Sequence, residues 1–199
     1  MQSFETRYQN LGFARIAGVD EAGRGPLAGP VVSGAVILKP DFDLPGLNDS
    51  KKLSEARRNQ LFERLPSQCL AMGIGIVEAD RIDEVNILRA SLESMVLAVR
   101  ALSEPADVLL IDGKFTLDLD LSQEAIVGGD GRSASIAAAS IFAKVTRDRL
   151  MEKMDRIYPG YGFAKHKGYP TASHKEAIAR LGVLPIHRRS FRGVREFLP

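Results

Sequence analysis

Four acidic side chains stand at the ends of apolar segments, where an ionised carboxylate is costly to bury. Asp20 and Glu21 close one apolar run, Asp112 closes a second, and Asp130 follows a third through two glycines. Each run has the composition of a strand, and α/β proteins place their functional sites at the ends of neighbouring strands. We therefore expect the four carboxylates to converge at one edge of a sheet.

Converging carboxylates predict a metal site. Two unit charges about 4 Å apart repel by ~4 kcal/mol at an effective dielectric constant near 20. A hard divalent ion, Mn²⁺ or Mg²⁺, relieves this repulsion and prefers oxygen ligands, and a pair of such ions is a common device for phosphoryl transfer. The chain has one cysteine and three histidines without ligand spacing, which argues against zinc. The alternative is that some acids pair with Lys or Arg, or that Asp130 caps the next helix.

The turn after Glu21 has the composition of a phosphate-binding loop. Gly23 and Gly25 allow the backbone to approach a ligand closely, and Arg24 between them can bind a phosphate through two hydrogen bonds. The turn is not a nucleotide-binding P-loop, because Gly-x-x-x-x-Gly-Lys-Ser/Thr occurs nowhere in the chain. Directly after two acids, it predicts a substrate cradle; alone, it is only a turn.

Charge is distributed unevenly along the 199 residues, although the formal net charge is only +2. Residues 144–199 contain thirteen Lys and Arg against five Asp and Glu, whereas residues 1–143 contain fourteen against twenty. A basic C-terminal quarter joined to an acidic remainder indicates a polyanion-binding surface beside a carboxylate-rich one. A solvated basic face without a ligand is the alternative.

The order of predicted elements indicates an α/β domain with a mixed sheet covered by helices. Strands are predicted at residues 14–20, 31–38, 70–77, 108–111 and 125–127. Helices are predicted at residues 54–65, 88–102, 133–155 and 171–181. The length fits a single domain, 1–199. We expect residues from about 158 to 199 to form a C-terminal helical extension that contacts the substrate.

Membrane and secreted classes are not expected. No run of 18 apolar residues occurs, and the first ten residues are polar, without the apolar core of a signal peptide. A single cysteine fits a reducing compartment. We expect a cytoplasmic monomer.

Several ordered blocks carry a resemblance to a known family. The run 19–30, Val-Asp-Glu-Ala-Gly-Arg-Gly-Pro-Leu-Ala-Gly-Pro, resembles the signature opening of ribonuclease HII. Further matches follow in the family's order at residues 49–53, 111–113, 129–130, 135–141, 143–148, 158–162 and 166–169. The resemblance spans roughly residues 14–195.

This resemblance implies a ribonuclease H-like core with a mixed five-stranded sheet and a two-metal mechanism. It assigns the catalytic and metal-binding carboxylates to Asp20, Glu21, Asp112 and Asp130. The implied reaction is endonucleolytic cleavage of the RNA strand of RNA–DNA hybrids, and cleavage on the 5′ side of ribonucleotides embedded in duplex DNA.

The resemblance also implies how the substrate is read. The turn Gly23-Arg24-Gly25, with Tyr169, would sense the junction between ribo- and deoxyribonucleotide through the 2′-hydroxyl. Lys51 is expected to contact the nucleic-acid backbone. A set of basic C-terminal side chains is expected to face the duplex: Lys165, His166, Lys167, His174, Lys175, Arg188, Arg189 and Arg192.

One position departs from the family pattern, since Gly128 stands where many relatives carry Lys before Gly129-Asp130. Three rivals stay open. A DNA junction nuclease on the same core would cut all-DNA junctions. Ribonuclease HIII normally carries an added N-terminal substrate-binding domain. A non-catalytic duplex-binding protein would bind hybrids without a divalent metal.

Overall fold

The computed structural model describes residues 1–198, and its elements follow the predicted order with three short helices added. The strands are β1 Ile16–Ala22, β2 Val31–Leu38, β3 Cys69–Val77, β4 Val108–Asp112 and β5 Ser122–Ile126. The helices are α1 Ser3–Asn10, α2 Glu55–Gln68, α3 Ala79–Val85, α4 Ile87–Arg100, α5 Ala134–Ile157, α6 Phe163–His166 and α7 Ala172–Leu181. Short 3₁₀ turns cover Ser50–Lys52, Gly129–Gly131 and Arg195–Phe197.

The five strands form one sheet in the order β3-β2-β1-β4-β5. β1 pairs antiparallel with β2 and β3 continues that pattern, whereas β4 runs parallel to β1 and β5 parallel to β4. This confirms the predicted mixed five-stranded sheet flanked by helices. Because β1 and β4 are parallel neighbours, their carboxyl ends meet at one edge of the sheet.

Some predicted boundaries were wrong. β1 continues through Ala22, so Asp20 and Glu21 lie inside the strand, paired with β2. α2 was predicted to stop before Pro66 but runs to Gln68, because Leu61 and Leu65 are fully buried and anchor its last turns. α1, α3 and α6 were not predicted, since helices this short carry little periodic signal.

Glycines in the central strands allow α5 to lie directly on the sheet. A Cβ atom at Gly18 would lie 2.0 Å from the carbonyl carbon of Ser135, and one at Gly34 would lie 2.7 Å from the carbonyl oxygen of Ala139. Backbone of sheet and helix are therefore in contact at these points. This close approach fixes α5 against β1, two residues before Asp20.

The opposite face of the sheet is covered by α4. Gly75 on β3 would place a Cβ atom 2.0 Å from the carbonyl oxygen of Ser94, so α4 also contacts backbone. Its Met95 and Val99 pack with apolar residues of β1 and β4, Val19 and Ile111 among them. The central strands are thus buried on both faces. Among residues 1–198, no helix is long and apolar enough to cross a membrane.

A chain of buried histidines organises the segment after α5. The N–H of Leu184 donates to Nδ1 of His187 (2.9 Å), so the proton of His187 lies on Nε2, facing Nε2 of His174 at 3.1 Å. His174 in turn carries its proton on Nδ1 and donates to the carbonyl oxygen of Tyr169 (3.0 Å). Both rings are fully enclosed. The neutral pair therefore holds the backbone of Tyr169.

Gly18→Ala is expected to lower the free energy of unfolding by about 3 kcal/mol, because the added methyl meets helix backbone that cannot move aside. Urea unfolding measures this loss. Gly131→Ala is the control, since its Cβ would meet only Lys52 Nζ at 3.8 Å; we expect a change within about 0.5 kcal/mol. Equal stability of the two variants would contradict the backbone contact between α5 and β1.

The histidine chain predicts acid sensitivity. Burial lowers the pKa of His174 and of His187 to about 4, against about 6.5 in an unfolded chain. The folded state then binds fewer protons between these values, so this contribution to stability is complete above pH 6.5 and is lost towards pH 4.

Wild type should therefore lose more unfolding free energy between pH 6.5 and 4.5 than His187→Gln, whose side chain does not titrate. Urea titrations at matched pH values test this. Parallel pH profiles for the two proteins would contradict a neutral, buried histidine pair.

Candidate active site

Three aspartates converge at the carboxyl edge of the central strands. One carboxylate oxygen each from Asp20, Asp112 and Asp130 lies within 4.8 Å of the other two. The parallel register sets Val19 of β1 beside Ile111 of β4, so the next residue on each strand is an aspartate. Asp130 arrives from the 3₁₀ turn that links β5 to α5.

Hydrogen bonds fix the orientation of these carboxylates. The N–H of Glu21 donates to Oδ1 of Asp20, and the N–H of Gly129 donates to Oδ1 of Asp112, both at 2.7 Å. The Ser140 side chain on α5 favours the ionised form of Asp20 and acts to lower its pKa, against the effect of burial. The cluster is therefore preorganised by backbone donors and by the helix that Gly18 admits.

Burial and mutual repulsion disturb the acid equilibria of the site. Burial raises the pKa of Asp20 well above its usual value, and the neighbouring charges of Glu21 and Asp112 raise it further. Burial also raises the pKa of Asp130, again with a contribution from Asp112. Asp20 is 3% exposed and Asp130 is 7% exposed, so water screens these charges poorly.

A single lysine provides the nearest positive charge. Lys51 Nζ lies 3.6 Å from Oδ2 of Asp130, and its side chain is 77% exposed. Partial burial alone would lower the pKa of Lys51, but the charges of Asp20 and Asp130 outweigh it and raise the pKa. One exposed ammonium group does not balance three clustered carboxylates.

Glu21 lies beside the three-aspartate cluster. It follows Asp20 on a strand, where successive side chains leave on opposite faces. Its carboxylate is 3.3 Å from the guanidinium of Arg24. Burial raises the pKa of Glu21, and the Arg24 charge acts in the opposite direction. Glu21 thus links the aspartate cluster to the turn that follows.

The chemistry of this donor set fits hard divalent cations. The site offers only carboxylate oxygens, which are the ligands that Mg²⁺ and Mn²⁺ prefer. Burial first, and then the neighbouring carboxylates, raise the pKa values of Asp20 and Asp130, so a cation bound there would be favoured. Asp20, Asp112 and Asp130 could hold such an ion between them, with Glu21 at the edge.

A groove runs along the predicted substrate turn beside the acid cluster. It is lined by Glu21, the turn 23–25, Lys51, Lys144 and Tyr169. A Cβ atom at Gly25 would lie 3.6 Å from the Tyr169 ring, so the turn and the ring form adjoining walls. Tyr169 is 42% exposed, and Lys144 Nζ lies 5.9 Å from its ring centroid.

Several basic side chains predicted to face the duplex are instead buried. His166 is enclosed: its Nδ1 accepts from the N–H of Gly168 and its Nε2 donates to the carbonyl oxygen of Tyr161. The predicted duplex contact was wrong for His174 and Arg188, which are fully buried. Lys167 forms an ion pair with Glu152 at 2.6 Å, with its side chain 13% exposed.

Sequence reasoning missed several residues that shape the site. Asp49 caps the turn carrying Lys51, and its nearby charge acts to raise the pKa of Asp130. Ser50 lies 2.8 Å from Ser140, hydroxyl to hydroxyl. Both serines and Asp49 fall within the family-like blocks at 49–53 and 135–141, which was the available signal. Gly128, the position that differs from the family pattern, has a left-handed backbone and open space around it. Nothing at this position presses on Asp130, two residues later.

Comparison with known proteins relates this chain to ribonuclease HII over nearly its whole length. The family model described as Ribonuclease HII matches residues 17–194. The ribonuclease HII of Syntrophotalea carbinolica is 56% identical over 195 residues, covering 98% of this chain and 93% of that protein.

Solved structures share the architecture. The ribonuclease H2 of Pyrococcus horikoshii OT3 superposes with a TM-score of 0.77 at 30% identity, covering 92% of this chain and 97% of that one. Bst-RNase HIII, solved in complex with Mn²⁺, shares the fold with a TM-score of 0.72 at 18% identity, covering 94% of this chain and 70% of that one. On its sequence and its fold, this chain belongs to the ribonuclease HII family.

Proposed function

We propose that this chain is an endoribonuclease that hydrolyses the RNA strand of RNA–DNA hybrids and cuts on the 5′ side of ribonucleotides embedded in duplex DNA. The observation that carries the proposal is the convergence of Asp20, Asp112 and Asp130 within 4.8 Å of one another. Lys51, 3.6 Å from Asp130, and Glu21, next to Asp20 in the chain, line the groove that the turn 23–25 also lines.

The reaction is a phosphodiester hydrolysis. The oxygen of a water molecule bonds to phosphorus, the bond from phosphorus to the 3′ oxygen of the preceding nucleotide breaks, and that oxygen takes a proton. The products carry a 5′-phosphate on the ribonucleotide and a 3′-hydroxyl on the upstream strand. Two divalent ions, Mn²⁺ or Mg²⁺, would supply an activated nucleophile and charge stabilisation at the leaving oxygen.

The acidic residues hold this machinery in place. Asp20 and Asp112 lie on paired strands, and together with Glu21 and Asp130 they would hold the ions. The N–H groups of Glu21 and Gly129 keep the carboxylates of Asp20 and Asp112 oriented. Such fixed donors favour a preorganised site.

The groove supplies the recognition of RNA. Backbone groups of Gly23, Arg24 and Gly25 would hydrogen-bond the 2′-hydroxyl and adjacent phosphate, and Tyr169 would pack on the neighbouring sugar. The Arg24 side chain is half exposed beside Glu21 and can contact a phosphate. The 2′-hydroxyl is read here and takes no part as a nucleophile.

Basic residues in the groove and beyond it would add salt-dependent affinity for the duplex backbone. Lys51 lies at the mouth of the acid cluster, and the exposed basic side chains after residue 158 would extend the contact. We propose residues 1–199 as a single domain whose last forty residues contact substrate. All groups invoked lie in one chain, so the proposal requires only a monomer, and the single cysteine fits the cytoplasm.

A cleavage map tests the function. A duplex with one embedded ribonucleotide should be cut at the phosphodiester 5′ to that ribonucleotide, a continuous hybrid should be cut within its RNA strand, and matched all-DNA should stay intact. Denaturing gels with end-labelled strands, in Mg²⁺ and in Mn²⁺, locate the cuts and rank the two ions. Cutting of all-DNA junctions, or binding to hybrids without any cleavage, would favour the rival functions.

Asp20→Asn should abolish cleavage and, in EDTA, raise the melting temperature. Asp20 has a raised pKa, so the folded state holds its proton more tightly than the unfolded state does. The resulting penalty is full above the raised pKa of Asp20, shrinks as the pH falls, and disappears below the unfolded value near 4. Relief of about 1–2 kcal/mol corresponds to a rise of roughly 2–8 °C.

Asp118→Asn is the matched control, because it removes one exposed carboxylate that is not part of the cluster. It should keep the wild-type melting temperature and cleavage. Mg²⁺ or Mn²⁺ should raise the melting temperature of wild type and Asp118→Asn more than that of Asp20→Asn. A destabilised Asp20→Asn protein in EDTA would mean that Asp20 is stabilised by its partners rather than repelled by them.

A further inference from the structure

Two arginines lie completely buried behind the substrate turn. Arg147 on α5 is 1% exposed and Arg188 is 0% exposed, and they are the largest fully enclosed side chains of residues 1–198. Within that part of the chain, neither guanidinium lies within 4 Å of a carboxylate. A buried, unpaired positive charge is costly. Such a cost calls for a specific use of the two side chains.

Both guanidinium groups bind backbone carbonyls instead of acids. Arg188 donates to the carbonyl oxygens of Gly23 (2.6 Å), Arg24 (3.0 Å) and Gly29 (2.9 Å). Arg147 donates to those of Ala28 (3.1 Å), Pro30 (2.9 Å) and Lys167 (2.9 Å). Together the two arginines hold both ends of the turn and the segment that leads to Tyr169.

The turn is fitted to these arginines by its glycine. Gly23 has φ +102°, and a Cβ atom there would lie 2.1 Å from Nε of Arg147. Only glycine allows the backbone to lie this close to the side chain in that conformation. The Gly-Arg-Gly pattern therefore serves contacts on the protein side of the turn as well as on the groove side.

The carbonyl contacts determine where the N–H groups of the turn point. In a trans peptide the C=O and the following N–H lie on opposite sides of the chain, and no described peptide is cis. When Arg188 holds the carbonyls of Gly23 and Arg24 inward, the N–H groups of Arg24 and Gly25 are directed away from it. Within residues 1–198, neither N–H donates to another protein group. Both are thus free donors beside the Tyr169 ring.

We infer that Arg188, supported by Arg147, is a positioning residue that sets ribonucleotide specificity by holding the turn 23–25 with the N–H groups of Arg24 and Gly25 facing the groove. This inference rests on the proposed function and deepens it. The ligand that these donors recognise is a ribonucleotide with its 2′-hydroxyl and adjoining phosphate. Arg188 itself touches neither the substrate nor the acids.

Arg188→Lys tests the inference, because an ammonium group keeps the charge but cannot serve three carbonyls with a planar fork. In the non-cleaving Asp20→Asn background, fluorescence anisotropy gives Kd for a 12-base-pair duplex with one ribonucleotide and for the matched all-DNA duplex. Arg188→Lys should reduce the preference for the ribonucleotide duplex roughly tenfold, the loss of about one hydrogen bond. Arg100→Lys, an exposed site at the end of α4, is the control and should keep the preference.

Two further readouts separate positioning from general damage. With Asp20 intact, the rise in melting temperature caused by Mn²⁺ should be the same in Arg188→Lys as in wild type, because the acid cluster is untouched. An unchanged ribonucleotide preference in a folded Arg188→Lys protein would overturn the inference. If wild type does not cut at the ribonucleotide, the proposed function itself is wrong. That result differs from an unchanged preference in Arg188→Lys, which contradicts only the role of Arg188.

A second measurement covers the case in which Arg188→Lys does not fold. In the ¹⁵N–¹H spectrum of the Asp20→Asn chain with Mg²⁺, the amide signals of Arg24 and Gly25 should shift more on adding the ribonucleotide duplex than on adding the all-DNA duplex. Equal shifts with the two duplexes would overturn the inference without any Arg188 variant.

Discussion

The structure depends on forcing three carboxylates together against their mutual repulsion. Asp20, Asp112 and Asp130 lie within 4.8 Å of one another, and two of them are almost fully buried. Repulsion on the order of 4 kcal/mol per close pair would separate flexible side chains. The sheet prevents this separation because Asp20 and Asp112 lie on parallel strands that are buried on both faces. A divalent ion that binds there relieves the repulsion, so the free energy that repulsion costs the fold adds to the affinity for the ion.

The same constraint explains why the helices approach the sheet so closely. Gly18 lets α5 touch β1, which brings Ser140 to Asp20, and the N–H of Gly129 reaches Asp112 from the turn before α5. Small residues and backbone donors thus hold the carboxylates in place at a crowded, charged edge where bulky side chains would not fit. Stability near the site is exchanged for a preset arrangement of oxygen ligands.

Much of this arrangement was predictable from residue type and position. Acids closing apolar strands are rare enough to indicate Asp20, Asp112 and Asp130, and the mixed sheet follows from the early hairpin and the later alternation of strands and helices. Helix ends were harder to predict. α2 continues through Pro66 because Leu61 and Leu65 are buried, a tertiary effect that local helix propensity does not predict.

The buried basic residues mark the limit of sequence reasoning at this site. Charge alone predicts that Arg188 and His174 lie on the surface facing a polyanion, since isolated arginines are almost never fully buried. These side chains are buried instead because backbone carbonyl groups accept their hydrogen bonds. Those carbonyls come together only when the turn 23–30 and the segment after Lys167 pack against α5. The C-terminal quarter therefore contributes Lys144 to the groove, while its enclosed arginines and neutral histidines hold the backbone that forms the groove walls.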